Sequence, residues 1–98
     1  MIAKTYSKTA SKCRVTFRLP EKAAAKEVSV LGEFNNWDPT THPLIPRKNG
    51  TFSTTVSLES GQSYRFRYLA DGDQWLNDDE ADGLDLNRFG SLDSVLAV

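Results

Sequence analysis

Apolar residues recur at every second position in several short runs, and no other feature of this chain constrains its fold as strongly. Cys13, Val15, Phe17 and Leu19 alternate with Arg14, Thr16 and Arg18. Phe52, Thr54, Val56 and Leu58 alternate with Ser53, Thr55 and Ser57, and Tyr64, Phe66 and Tyr68 with Arg65 and Arg67. A period of two sends successive side chains to opposite faces, so each run reads as a strand buried on one side. Val28 and Val30 open a further strand running to about Glu33, a short one surrounds Trp75 and Leu76, and Val95, Leu96 and Val98 close the chain as a last strand. Pro20 and Gly61 end two of the runs. Asn49-Gly50 and Asp71-Gly72 signal hairpins, because these residues tolerate the positive φ of a tight turn. Phe34 to Pro39 reads as a turn. Pro39, Pro43 and Pro46 lack a backbone N–H, which predicts that residues 38–47 stay out of a regular ladder. Glu21 to Lys26 holds three alanines but is too short for a stable helix and reads as a connection. Residues 77–91 read as acidic and irregular. About six or seven short strands without a helix predict an all-β antiparallel sandwich. There is no Cys…Trp…Cys spacing of the antibody type.

Ninety-eight residues make one domain and cannot hold a (β/α)₈ barrel of roughly 250 residues. Residues 1–11 are polar and without period, and are expected to be a flexible tail before a folded unit over 12–98. The one cysteine, Cys13, allows no internal disulfide and fits a reducing compartment. No apolar run approaches the ~20 residues of a membrane span, and the first residues lack the apolar stretch of a signal peptide. The expectation is a cytoplasmic protein without a membrane partner. The net charge is −1, unevenly spread: nine Lys/Arg against four Asp/Glu in residues 1–50, three against nine in 51–98. Lys4, Lys8 and Lys12 lie in the polar leader and Arg14 and Arg18 along the first strand, which reads as a solvated tail and strand face and not as the basic face of a nucleic-acid binder, so nucleic acid is not expected as a partner.

Trp37 lies in a polar turn and Trp75 follows a hairpin; neither continues an apolar face. An exposed indole forgoes burial energy and often marks a binding site. Sugars offer flat C–H faces for an indole and hydroxyl rims for charged or amide side chains. The alternative is that each tryptophan caps one end of the core, and the residues by themselves leave the two readings equal. Arg65 and Arg67 point outward if Tyr64, Phe66 and Tyr68 face the core; spacing alone favours a solvated face over a ligand site. In Asp78 to Gly83, Asp78, Asp82 and Gly83 fit a calcium loop, but Glu80 and Phe89 do not, and no helices flank it. A solvated acidic loop is the better reading, and no metal is expected. His42 is the single histidine. There is no nucleophile elbow, no Cys/His cluster and no phosphate loop, so neither catalytic residues nor a cofactor are expected.

Three stretches carry a family resemblance: Val28-Ser29-Val30-Leu31-Gly32-Glu33-Phe34-Asn35-Asn36-Trp37, Tyr68-Leu69-Ala70-Asp71-Gly72-Asp73-Gln74-Trp75, and Asn87-Arg88-Phe89-Gly90. Together they resemble carbohydrate-binding module family 48, the early-set domain of branching and debranching enzymes and the glycogen-binding domain of the AMP-activated protein kinase beta subunit. The resemblance spans about residues 12–98. It implies an immunoglobulin-like, early-set sandwich, not itself an enzyme, that binds α-1,4-glucan (glycogen or starch), with a glycogen-metabolising enzyme as a further partner. It implies that Trp37 and Trp75 are the stacking pair. Arg67 matches a lysine that bonds sugar hydroxyls, Phe89 an apolar residue set against the glucan, and Ser91 a threonine whose hydroxyl it keeps. Asp93 stands where the glycogen-binding domain has asparagine, and a carboxylate accepts hydrogen bonds but does not donate them. The rival expectation is a protein-interaction or scaffold domain of the same fold that binds no carbohydrate.

Overall fold

The computed structural model describes residues 2–7, 11–19, 26–72, 74–78 and 80–98. In these residues the alternating runs form two antiparallel sheets packed face to face. The strands are β1 (Ile2–Tyr6), β2 (Lys12–Leu19), β3 (Val28–Gly32), β4 (Ile45–Pro46), β5 (Phe52–Glu59), β6 (Ser63–Ala70), β7 (Gln74–Leu76), β8 (Gly83–Leu86) and β9 (Leu92–Ala97), with one 3₁₀ turn at Glu33–Asn35. One sheet runs β1-β2-β5-β4. The other runs β3-β6-β9-β8, with β7 also paired to β6. This is an immunoglobulin-like antiparallel sandwich.

The inward faces are those that the alternation predicts. Cys13, Val15 and Phe17 of β2, Val30 of β3, Phe66 and Tyr68 of β6 and Leu96 of β9 are fully buried. Phe17 sits at the centre, edge-on to Phe66 with ring centroids 5.1 Å apart and to Tyr68 at 6.3 Å. Such edge-to-face packing satisfies the ring quadrupoles. The buried phenol of Tyr68 donates to Asp78 Oδ2 at 2.6 Å, and Asp78 N–H in turn donates to the buried Ser94 hydroxyl at 3.0 Å. Burial pushes the Tyr68 hydroxyl far above its ordinary pKa, and the Asp78 carboxylate adds to this.

Four expectations differ from the structure. Within the predicted tail, Ile2–Tyr6 is strand β1, paired with β2 from Ile2↔Phe17 to Tyr6↔Cys13. The edge of β2 offers backbone groups that an extended segment satisfies without an apolar pattern of its own. Lys4 then reaches across to Asp82 Oδ2 at 2.7 Å. Residues 1 and 8–10 of the predicted tail, and 21–25 of the predicted connection, lie outside the described residues. Ile45–Pro46 does enter a ladder, against Ser53 and Phe52; as an edge strand, β4 can tolerate a proline without an N–H. Gly83–Leu86, read as irregular, is β8 and pairs with β9. Its Leu84 and Leu86 are both exposed, so no half-buried alternation announces it. The last strand begins at Leu92, not Val95.

Candidate functional site

The outer face of the β3-β6-β9-β8 sheet carries a groove of about 770 Å³. Trp37, Arg67, Trp75, Phe89, Ser91 and Asp93, the six residues matched in the sequence, all line it, and so do Glu33, Arg65, Leu86, Asn87 and Arg88. They come from β6, β8, β9, the β6–β7 hairpin and two loops.

The loop that carries Trp37 is held at several points. Phe34 packs on the core edge, its ring 5.7 Å from Phe17. The Asn35 amide accepts the Gly32 N–H at 3.0 Å and donates to the Val30 carbonyl at 3.0 Å. That orientation leaves Nδ2 donating to His42 Nδ1 at 2.9 Å, since an amide nitrogen does not accept. Glu33 Oε1 accepts the Arg65 N–H at 2.7 Å, extending the β3–β6 ladder with a side chain. The chain then reverses through two residues in the left-handed region, Asn36 at φ 55° and Trp37 at φ 58°. For a bulky residue such a backbone costs on the order of 1–3 kcal/mol. Here it accompanies a half-buried indole at the groove wall.

Trp75 reaches the groove by another route. Asp71 and Gly72 both take positive φ, closing the β6–β7 hairpin in which Leu69 pairs with Trp75. Asp71 Oδ1 accepts the N–H groups of Lys26 and Glu27 at 2.8 and 3.0 Å, fixing that turn to the start of β3. Trp75 remains 49% exposed, and the Arg67 guanidinium lies 5.8 Å from its ring centroid.

Arg65 and Arg67 point outward from β6, opposite the buried Phe66 and Tyr68. Asp93 on β9 lies beneath them, only 4% exposed. Its Oδ1 accepts Arg67 Nε at 2.7 Å, and its Oδ2 is 3.7 Å from Arg65 Nη1. Arg65 Nη2 donates to Asp85 of β8 at 2.7 Å. The carboxylate is thus the floor of an arginine pair. Past β8, the turn over residues 87–91 lifts Phe89, 79% exposed, with the Arg88 guanidinium 4.9 Å from its ring. The groove therefore offers flat apolar rings flanked by guanidinium, amide and hydroxyl groups.

The residues that sequence reasoning left out are mostly the supports. Arg65 shares the face of Arg67, and that signal was present in the alternation. Glu33 and Asn87 act on backbone N–H groups, which no apolar period reveals. A second concavity, on the β1-β2-β5-β4 sheet, is lined by Thr16, Arg18, Arg47, Lys48 and neighbouring polar residues, and has no aromatic ring. Among the described residues no three His, Cys, Asp or Glu side chains are grouped to hold a metal, and no helix is long and apolar enough to cross a membrane.

A small sandwich with a ring-lined groove across one outer sheet face has the form of a carbohydrate-binding domain. The chain belongs to the family described as the glycogen recognition site of AMP-activated protein kinase, which it matches over residues 14–98. It is also similar to a 1,4-alpha-glucan branching enzyme GlgB 2 from each of two strains of Xanthomonas campestris pv. campestris, 8004 and ATCC 33913. Identity with each is 36% over 50 residues, 49% of this chain. The matched stretch is 7% of each enzyme's length.

Proposed function

We propose that this domain is a non-catalytic module that binds α-1,4-glucan, such as glycogen or starch, with glucose units laid against Trp37 and Trp75. The observation that carries the reading is the meeting of both indoles, Arg67 and Phe89 in one open groove. Arg67 gives Nε to Asp93, leaving its terminal nitrogens to meet sugar hydroxyls beside the Trp75 ring. Ser91 adds a hydroxyl at the same wall. An open groove with two indoles and a few hydroxyl contacts suits weak single-site binding, roughly 10 μM to 1 mM, or about −7 to −4 kcal/mol. The family and the branching-enzyme relatives support a place beside a glycogen-metabolising enzyme, where several weak modules on one polymer gain avidity. The buried free thiol of Cys13 suits a reducing, cytoplasmic setting.

The test is tryptophan fluorescence titrated with maltoheptaose and β-cyclodextrin. The expected result is a saturable change whose affinity falls at least tenfold, about 1.4 kcal/mol, in Trp37→Ala and in Trp75→Ala. Folded variants that both bind like wild type would place the site elsewhere. Purified protein is expected to release no reducing sugar from glycogen. A second reading, a protein-binding surface on the same fold, has one observation in its favour: Leu84 and Leu86 of β8 and Leu92 of β9 are exposed, and Leu86 also lines the groove. It is preferred if no glucan binds and a single protein partner saturates the domain.

A further inference from the structure

We infer that Asn87 is a positioning residue of the groove: its side-chain amide couples the turn that carries Phe89 to the Arg67–Asp93 ion pair. The inference rests on the glucan-binding reading above. Phe89 is 79% exposed, and among the described residues the one ring contact it makes is with Arg88. Its place in the groove is therefore set by the backbone of its turn, and Asn87 holds that backbone. Asn87 Oδ1 accepts the N–H of Phe89 at 2.9 Å and that of Ser91 at 3.1 Å. The Asn87 main chain closes the same turn, donating to the Ser91 carbonyl at 2.8 Å and accepting from Gly90 N–H at 3.1 Å. The other end of the amide, Nδ2, donates to Asp93 Oδ1 at 3.2 Å. That oxygen is the one that receives Arg67 Nε. One planar group thus sets the Phe89 wall of the groove against its arginine floor. An amide is required, because only it places two acceptor lone pairs and a donor on opposite ends of one short side chain. A turn fixed in this way need not be ordered by the ligand, which favours affinity through pre-organisation.

Two variants separate the two halves of this role. Asn87→Ala removes both. Maltoheptaose affinity is expected to fall by roughly tenfold, and the Phe89 and Ser91 amides to exchange with solvent about tenfold faster, while exchange in β2 and β6 is unchanged. Asn87→Asp keeps the acceptor oxygens but turns a carboxylate oxygen toward Asp93. The turn amides are then expected to stay protected while affinity at neutral pH still falls several-fold, a split that simple loss of stability does not produce. Wild-type affinity in both variants, or wild-type exchange at Phe89 and Ser91 in Asn87→Ala, overturns the inference. If the wild-type protein binds no glucan, the proposed function falls, and the exchange rates alone then decide whether Asn87 holds the turn.

Discussion

At the scale of single residues, the structure spends conformational energy where the groove needs it. Trp37 keeps a left-handed backbone that only glycine adopts freely. Trp37→Gly and Trp37→Ala lose the same indole, so their difference isolates the backbone. The glycine variant is expected to be more stable than the alanine variant by about 1 kcal/mol in urea denaturation; equal stabilities would show that the turn relaxes. Gly32 is constrained differently. Its φ of −167° is ordinary extended backbone, but an added Cβ would lie 2.6 Å from the Arg65 carbonyl oxygen and 2.9 Å from Phe66 Cβ. Gly32→Ala is expected to cost about 1–3 kcal/mol, read as a lower denaturation midpoint. Tyr68→Phe removes the hydrogen bond to Asp78 without changing ring volume, and is expected to cost about 1.5–3 kcal/mol. Trp37 and Trp75 stood out in the sequence as indoles that continue no apolar face, but only the family resemblance, not their surroundings, favoured a binding role over a cap on the core. Asn87 and Glu33 were not, because their work is done on backbone groups that fold into reach from elsewhere.

At the scale of elements, turns and edge strands are fastened by carboxylates, and this sets the response to acid. The Thr40 N–H and hydroxyl hold the Asp38 carboxyl below its usual range. The N–H groups of Glu27 and Lys26 do the same for Asp71 at the β6–β7 turn. For Asp82, burial pushes upward, but the Lys4 ammonium and the Ala97 N–H together outweigh it and hold the carboxyl low. A carboxyl with a lower pKa folded than unfolded adds stability above its unfolded value, and that stability is lost as pH falls through the folded value. The urea midpoint is therefore expected to hold steady from pH 7 to about 5 and to decline below about pH 4. Asp71→Asn and Asp82→Asn should each flatten the decline; a wild-type midpoint that rises between pH 5 and 3 would contradict the assignment. Strands β2, β5 and β6 were legible because they are half-buried and alternate. Strands β1, β4 and β8 were not, since each is an edge strand held by a neighbour's ladder with little apolar pattern of its own.

At the scale of the whole molecule, one core joins both sheets, with Phe17 of the first packed against Phe66 and Tyr68 of the second. Phe17→Ala is expected to cost about 3–5 kcal/mol. Against a typical domain stability of about 5–15 kcal/mol, that should appear as one cooperative transition moved down by at least ~12 °C. A second, separate transition would mean that the sheets unfold independently. The groove lies on the far side of this core, so its rings contribute to binding more than to folding. The amino-acid sequence by itself determined the class of fold and the identity of the inward residues, because a period of two dictates which side chains share a face and burial then chooses that face. It also marked, by resemblance, the six residues proposed to meet sugar. Only the tertiary structure decided that these six share one groove, and that Asp93 is buried beneath Arg67 and Arg65. Those relations join residues distant in the chain, and the register of β6 against β9 and the closure of the 87–91 turn create them; local pattern encodes neither.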